Sequence, residues 1–210
     1  MLRYQIIQVT SFQQNCSLLW CDETNEAVFI DPGGDVELLI QAVKANNVTL
    51  KAIWLTHGHL DHIGGTAELK KIFDLPVIGP HKDDEFLINA IPQQIQMFGF
   101  SSVENFLPDK WLKENEELQL GHEKFSVIYT PGHTPGHIVL KHEKQKLLWV
   151  GDVIFKHAIG RTDFSRGNHQ QLIASIKNKL LSMNDDYRFI PGHGPESTIG
   201  EERLNNPFLI

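Results

Sequence analysis

Apolar residues follow two different spacings along the first third of the chain, and each spacing predicts a different kind of element. Three runs rich in β-branched and aromatic residues predict an antiparallel meander: RYQIIQVT, CSLLWC and EAVFIDP. VELLIQAVKAN then repeats apolar residues at helical spacing, and Asp35 in front of it is expected to cap the helix. The strand AIWLTH, the helix TAELKKIF and the short strand LPVIG follow. Because strands and helices interleave, the pattern predicts the α/β fold class.

The segment 82–120 is harder to assign from its pattern. It is partly helical but interrupted by Pro92 and Gly99, and its second half is polar and irregular. We expect an insertion beside a pocket. Its aromatic residues are expected to pack into the core rather than to form part of a site: Phe86, Phe98, Phe100 and Trp111.

Strands resume in the second half of the chain. KFSVIYTPGH, GHIVLKHE and KLLWVGD read as strands, and HQQLIASIKNKLL repeats apolar residues at about the helical period of 3.6. The sequence contains no internal repeat, low-complexity tract or linker. It therefore predicts one α/β domain over residues 1–210, with two sheets and outer helices.

Composition and charge narrow the classes of function. The 210 residues can bury a substantial core, and the net charge of −7 argues against a nucleic-acid partner because phosphate binding requires clustered Lys and Arg. The start MLRYQIIQVTSFQQNC does not resemble a signal peptide, and no apolar run is long enough to span a bilayer. We expect a cytoplasmic protein with no membrane partner and no obligate protein partner.

The two cysteines, Cys16 and Cys21, lie in one predicted strand. Their odd spacing places them on opposite faces of that strand, which disfavours a disulfide between them. Reduced cysteines of this kind are typical of cytosolic proteins.

Metal-ligand side chains follow four of the apolar strand-like runs, in AIWLTHGHLDH, FSVIYTPGH, LLWVGD and RFIPGH. Rigid strand ends can direct several loops to one point, which suits a metal site. Five imidazoles and two carboxylates exceed what one tetrahedral ion takes, so two ions are expected, and each could have three ligands of its own if Asp152 bridges them. Zinc, iron and manganese all fit nitrogen and oxygen ligands of this kind, and the residues do not choose among them. The candidate ligands are His57, His59, Asp61, His62, His133, Asp152 and His193.

The remaining histidines do not form such a pattern. His137 lies four residues after His133 but begins the next strand, so a buried role supporting the ligands is expected. The others stand alone and are expected to be structural or exposed: His81, His122, His142, His157 and His169.

HGHLDH together with PGHTPGH, GD and PGHGPEST resembles the metallo-β-lactamase superfamily, and in particular its glyoxalase II branch, the hydroxyacylglutathione hydrolases. The similarity is greatest to the short, single-domain bacterial type, which shares the GRTDF loop and an ending like IGEERLNNPFL. The resemblance implies an αββα sandwich of two mixed β-sheets flanked by helices, with a binuclear site between the inner sheet edges. It also implies how the ligands divide: His57, His59 and His133 for one ion, Asp61, His62 and His193 for the other, and Asp152 between them.

The implied reaction is hydrolysis of S-lactoylglutathione or a related acyl-glutathione, as in methylglyoxal detoxification. A hydroxide shared by two cations would exist at neutral pH and would attack the thioester carbonyl. Asp61 is the expected catalytic residue, because its carboxylate can orient the hydroxide and accept its proton. The leaving thiolate needs no dedicated acid.

Arg161, in the GRTDF loop, is the candidate substrate-binding residue, since a guanidinium suits a glutathione carboxylate. The alternative is an ion pair with Asp163 that anchors the loop. The alternative function is a mononuclear-iron glutathione persulfide dioxygenase, a branch that resembles this chain in PGHTPGH and GRTDF. Class B lactamases usually lack the last histidine of HxHxDH, which disfavours antibiotic hydrolysis.

Overall fold

The computed structural model describes residues 1–100 and 103–210, and its first sheet is formed by the N-terminal part of the chain. The strand order is β1-β2-β3-β4-β5, with the first three strands antiparallel and the last two parallel to β3. The predicted antiparallel meander is therefore confirmed. The strands are β1 (Leu2–Val9), β2 (Gln14–Cys21), β3 (Glu26–Ile30), β4 (Thr49–Trp54) and β5 (Val77–Ile78).

The second sheet has the order β13-β12-β9-β8-β7-β6, in which only the pair β12 and β9 is parallel. A separate two-stranded hairpin, β10 with β11, follows β9. The strands are β6 (Glu117–Leu120), β7 (Glu123–Tyr129), β8 (Ile138–His142), β9 (Leu147–Gly151), β10 (Ile154–Phe155), β11 (Ala158–Ile159), β12 (Arg188–Pro191) and β13 (Ser197–Thr198).

Seven α-helices are found in the described residues, and the longest, α1, has the predicted bounds. After α6 the chain continues as a π-helical turn, Ile176–Leu180. In those parts of the chain no helix is long and apolar enough to cross a membrane. The helices are α1 (Val36–Asn46), α2 (Leu60–Ile63), α3 (Thr66–Phe73), α4 (Glu85–Asn89), α5 (Ile91–Phe98), α6 (His169–Ser175) and α7 (Ile199–Asn205).

Three separate apolar layers define the architecture. One lies between the first sheet and α1 to α5, with Phe29 and Leu39 fully buried. The middle layer joins the two sheets, where Trp54 packs edge-on against Phe125. The third packs α6 and α7 on the second sheet. Three apolar layers separate four layers of structure, so the predicted αββα sandwich of two mixed β-sheets is confirmed.

Two local predictions need correction. Asp35 stands at the N-cap position of α1 with a left-handed backbone at φ 47°, but its carboxylate does not cap the helix and instead accepts the backbone N–H of Thr10 at 2.6 Å. The carboxylate thereby holds the β1–β2 turn against the start of the helix. In segment 82–120, Pro92 and Gly99 do not interrupt a helix but lie at its two ends. Proline in the first turn has no N–H to lose, and Gly99 ends α5 at φ 71°.

Both cysteines are free, in agreement with their spacing, and both are buried. Cys16 packs between the first sheet and its helices. Burial raises the pKa of the Cys16 thiol well above its usual value, which agrees with a structural role.

Candidate metal centre

The ligand candidates converge at one edge of the sandwich because four strands end there. β4 leads to His57, β7 to His133, β9 to Asp152 and β12 to His193. They meet at a cavity of about 500 Å³. Five of the seven predicted ligands line it: His59, Asp61, His133, Asp152 and His193.

The first ligand cluster consists of His57, His59 and His133, whose ligand atoms lie within 4.8 Å of one another. His59 Nδ1 and His133 Nε2 are 3.0 Å apart. His57 is fully buried, and its Nε2 has no hydrogen-bond partner among the described residues. Three imidazoles facing one point form a donor set that could hold a divalent ion.

The second ligand cluster consists of Asp61, His62 and His193, whose ligand atoms also lie within 4.8 Å of one another. The short helix α2 carries Asp61 and His62, and His193 Nε2 lies 3.1 Å from Asp61 Oδ2. His62 Nε2 is buried, and no described residue forms a hydrogen bond with it. This set of two imidazoles and a carboxylate also suits a divalent ion.

Asp152 lies between the two clusters. Its Oδ1 is 3.3 Å from His62 Nε2, and its Oδ2 is 3.6 Å from His133 Nε2 and 3.7 Å from His193 Nε2. Oδ1 is buried and accepts no hydrogen bond from the part of the chain that the structure describes. One carboxylate thus faces both clusters, the position in which a bridging ligand would stand.

In four of the candidate histidine ligands, a hydrogen bond to Nδ1 fixes which ring nitrogen faces the metal centre. In each case Nδ1 meets an oxygen that can accept its proton, so the neutral form of the ring presents the lone pair of Nε2 to the centre. These acceptors are Thr56 Oγ1 for His57 at 3.0 Å, Asp31 Oδ2 for His62 at 2.9 Å, the Arg161 carbonyl for His133 at 2.7 Å, and the Phe12 carbonyl for His193 at 3.1 Å. The residues present therefore fit metal ions, since His57 Nε2, His62 Nε2 and Asp152 Oδ1 are buried at the two clusters without a hydrogen-bond partner among the described residues.

Asp31 was missed by the sequence reasoning. It also lies near His57 and His62, but its oxygens are engaged by the Thr56 N–H, the Thr56 hydroxyl and His62 Nδ1, so it supports the rings from behind. The signal for it was present, because Asp31 follows the end of β3 just as the ligands follow other strands.

His137 supports the centre in the way its position predicted. Its Nε2 accepts the backbone N–H of Asp152 at 3.0 Å, and its ring stacks on that of His57 with centroids 4.7 Å apart. The five lone histidines lie outside both ligand clusters. His142, for example, is buried in the second sheet with Glu123 at 2.8 Å.

The two ligand clusters differ in the protonation of their histidines. Burial lowers the pKa of His57 well below its usual value and lowers the pKa of His59 to about 3, so both rings are neutral at neutral pH. Burial also opposes a charged His62, but Asp152 and Asp61 raise the pKa of His62 well above its usual value. The carboxylates therefore favour positive charge between them, as a cation site requires.

Comparison with known proteins decides the family. Residues 9–193 match the model of the metallo-beta-lactamase superfamily. The chain belongs to this superfamily. It is 50% identical over 99% of its length, and 98% of the relative's, to the hydroxyacylglutathione hydrolase GloC of Haemophilus influenzae.

Two crystal structures of superfamily members agree with this assignment. The chain is 38% identical to the BLEG-1 B3 metallo-beta-lactamase, with a TM-score of 0.91 and 99% of each chain covered. It is 34% identical to TTHA1623 in a di-iron-bound form, with a TM-score of 0.89 and coverage of 98% of this chain and 100% of the other.

Several phenylalanine side chains line the cavity at the two ligand clusters. Phe12 and Phe100 stack with ring centroids 5.3 Å apart, and both line the cavity. Phe100 packs against the first core layer, as expected, and it also lines the cavity, which the sequence did not predict. Trp111 packs on the core as expected, and the side chain of Phe98 lies outside the described part of the structure. The other apolar lining residues are Phe155, Ile159, Phe164 and Pro195.

Arg161 lines the cavity, but its guanidinium is engaged. It donates two hydrogen bonds to Asp163, at 2.8 and 3.0 Å, and lies over the ring of Phe164 at 4.6 Å. The side chain remains 68% exposed. The loop-anchoring alternative is thus present in the structure, and substrate binding by Arg161 stays a prediction.

Proposed function

We propose that the protein is a metal-dependent thioester hydrolase of the hydroxyacylglutathione hydrolase type, acting on S-lactoylglutathione or a related acyl-glutathione. The observation that carries the proposal is the pair of ligand clusters flanking Asp152 at one cavity. The 50% identity to a hydroxyacylglutathione hydrolase over nearly the whole chain supports the choice of thioester chemistry.

Two divalent ions are proposed, one in each ligand cluster, with zinc as the first choice and iron or manganese as alternatives. Ions held there would polarise a carbonyl oxygen and acidify water. The di-iron form of a 34% identical structure supports two ions rather than one.

The side chains then have distinct tasks. Asp61 lines the cavity and retains a partly exposed carboxylate, which would orient the attacking water and accept its proton. Asp152 would hold the two clusters at a fixed separation. The aromatic walls would limit the access of other water molecules to the thioester, which strengthens electrostatic interactions inside the cavity. A thiolate is a stable leaving group, so the scheme requires no separate acid.

The decisive experiment measures metal content and thioester hydrolysis on the same preparation. We expect two ions per chain and thiol release from S-lactoylglutathione that stops on chelation and returns with added zinc. One iron per chain, with oxygen uptake driven by glutathione persulfide, would instead establish the dioxygenase.

β-Lactam hydrolysis is the second candidate, since the chain is 38% identical to a B3 metallo-beta-lactamase. A chromogenic cephalosporin assayed beside the thioester separates the two. Turnover of the cephalosporin with a higher kcat/KM than that of any acyl-glutathione would replace the thioesterase proposal.

A further inference from the structure

Two buried side chains from segment 82–98 form hydrogen bonds with the backbone of residues 57–60, which we call the HGHL loop. Asp84 lies at the start of α4, and Gln94 lies inside α5. Neither side chain lines the cavity, and neither contains an atom of the two ligand clusters. We propose that Asp84 and Gln94 are positioning residues that set the geometry of the first ligand cluster.

Asp84 ties together two loops that are far apart in sequence. Its Oδ2 accepts the N–H of Gly58 at 2.9 Å and the hydroxyl of Thr134 at 2.8 Å. Its Oδ1 accepts the N–H of Gly136 at 2.6 Å. The side chain is fully buried, and within the described ranges no Lys, Arg or His pairs with it.

The loops that Asp84 joins supply every ligand of the first cluster. Gly58 stands between His57 and His59, and Thr134 directly follows His133. A shift of the carboxylate would therefore move all three rings relative to one another. Metal sites tolerate displacements of only about 0.5 Å, so these hydrogen bonds bear directly on the affinity for the ion.

The second glycine of PGHTPGH is explained by the same contact. A Cβ on Gly136 would lie 2.5 Å from Asp84 N and 2.7 Å from its carboxyl carbon. Only glycine allows the loop to approach the carboxylate this closely.

Gln94 completes the hydrogen bonding of the same loop. Its Oε1 accepts the N–H of Leu60 at 3.0 Å, and its Nε2 donates to the carbonyls of Gly58 at 3.2 Å and Leu87 at 2.9 Å. Both backbone groups of Gly58 are thus satisfied by side chains of one segment. Because Leu60 begins α2, Gln94 also fixes where that helix starts.

The burial of Asp84 is not explained by a contribution to the stability of the fold. Burial raises the pKa of Asp84 to about 7, although the bonds from Thr134, Gly136 and Gly58 oppose that rise. Burying a carboxylate without a paired cation costs desolvation free energy, which its hydrogen bonds only partly offset. A carboxylate kept there without a cation fits a requirement for exact loop placement better than a requirement for stability.

The test measures zinc binding to the metal-free protein, and it rests on the metal-centre part of the proposed function. Asp84→Asn places an NH₂ group against one of three donors, and Gln94→Leu removes all three bonds of Gln94. The matched controls are Asp83→Asn and Gln93→Leu, which change exposed neighbours in the same way. Competition with a chromogenic chelator gives the affinities, and circular dichroism gives the Tm of each metal-free protein.

We expect Asp84→Asn to bind one of the two zinc ions about 10- to 100-fold more weakly, with the second ion less affected and the controls unchanged. Gln94→Leu should weaken zinc binding in the same direction. If Asp84→Asn fails to fold, Thr134→Val removes one partner of the carboxylate at constant shape and should weaken the same ion.

A folded Asp84 or Thr134 variant that binds both ions as tightly as its control overturns the proposal, whatever its Tm. The two proposals fail separately. Wild-type protein that binds two zinc ions but leaves thioesters intact contradicts only the thioesterase function, because zinc binding is measured without substrate.

Discussion

At the scale of single residues, Asp152 has the largest consequence, since one carboxylate faces both ligand clusters. Removing it leaves each cluster with three groups and no shared anion. Asp152→Ala should therefore lose both ions and reduce kcat/KM by more than about 100-fold. Metal analysis and thioester assay check this, with Asp186→Ala as a control at an exposed residue away from the cavity. Retention of both ions would contradict the bridging assignment.

Arg161 gives a second prediction at this scale. If the guanidinium contacts a substrate carboxylate, Arg161→Ala should raise KM about three- to tenfold while kcat changes little, because the contact is remote from the reacting carbonyl. Asp163→Asn should lower KM by releasing the guanidinium from its present pair. Steady-state kinetics measure both effects.

Lys156 is the comparison for Arg161, because it also lines the cavity and forms no ion pair with the described residues. A rise in KM for Lys156→Ala but not for Arg161→Ala would assign the substrate carboxylate to Lys156. Arg161 would then be the loop anchor that its bond to Asp163 already suggests.

The seven candidate ligands could be predicted from sequence because they follow strand ends in short, recurring motifs. Asp84 and Gln94 could not, since they act on backbone groups of a loop that is 26 to 36 residues away in sequence. Their segment has no strong periodicity, and a backbone partner leaves no pattern in the sequence. Asp31 was an intermediate case, because its strand-end position was visible but its partners were not.

At the scale of elements, α7 holds the hairpin that forms one wall of the cavity. Glu202, fully buried, accepts the N–H of His157 at 2.8 Å, and Asn206 donates to the carbonyl of Ala158 at 3.0 Å. These bonds fix the turn between β10 and β11. The hairpin carries cavity-lining residues Phe155, Lys156 and Ile159.

Glu202→Ala should accordingly loosen the hairpin without disturbing the metal ions. We expect KM to rise about three- to tenfold, an effect of roughly 1 kcal/mol, with metal content unchanged. Glu202→Gln retains an acceptor and should keep most of the affinity. Kinetics and metal analysis of the two variants provide the check, and loss of metal from Glu202→Ala would show that α7 acts on the centre itself.

The order and type of the long elements followed from periodicity, but short elements did not. α1 and α3 have the predicted bounds, because each buries one regular apolar face. In segment 82–120, α4 and α5 are short, and their positions depend on contacts with the HGHL loop that no local pattern records.

At the scale of the whole molecule, metal ions should contribute to stability because they bind only the folded arrangement. A ligand at 100 times its Kd adds about 2.7 kcal/mol, which corresponds to a Tm rise of about 5 to 10 °C for a chain of this size. Thermal unfolding with chelator and with saturating zinc measures the difference. Asp152→Ala should show no zinc-dependent shift, and an equal Tm for the wild type in both conditions would contradict a folded-state metal centre.

Each ligand cluster draws on both sheets. His57, His59, Asp61 and His62 follow β4 of the first sheet, whereas His133 and His193 follow strands of the second. Every bound ion would therefore cross-link the two halves of the sandwich. Neither half alone could assemble a complete cluster, so we expect tight metal binding only after the halves dock. Hydrogen exchange across the inner faces should slow on zinc binding, because separating the sheets would first require the ions to leave.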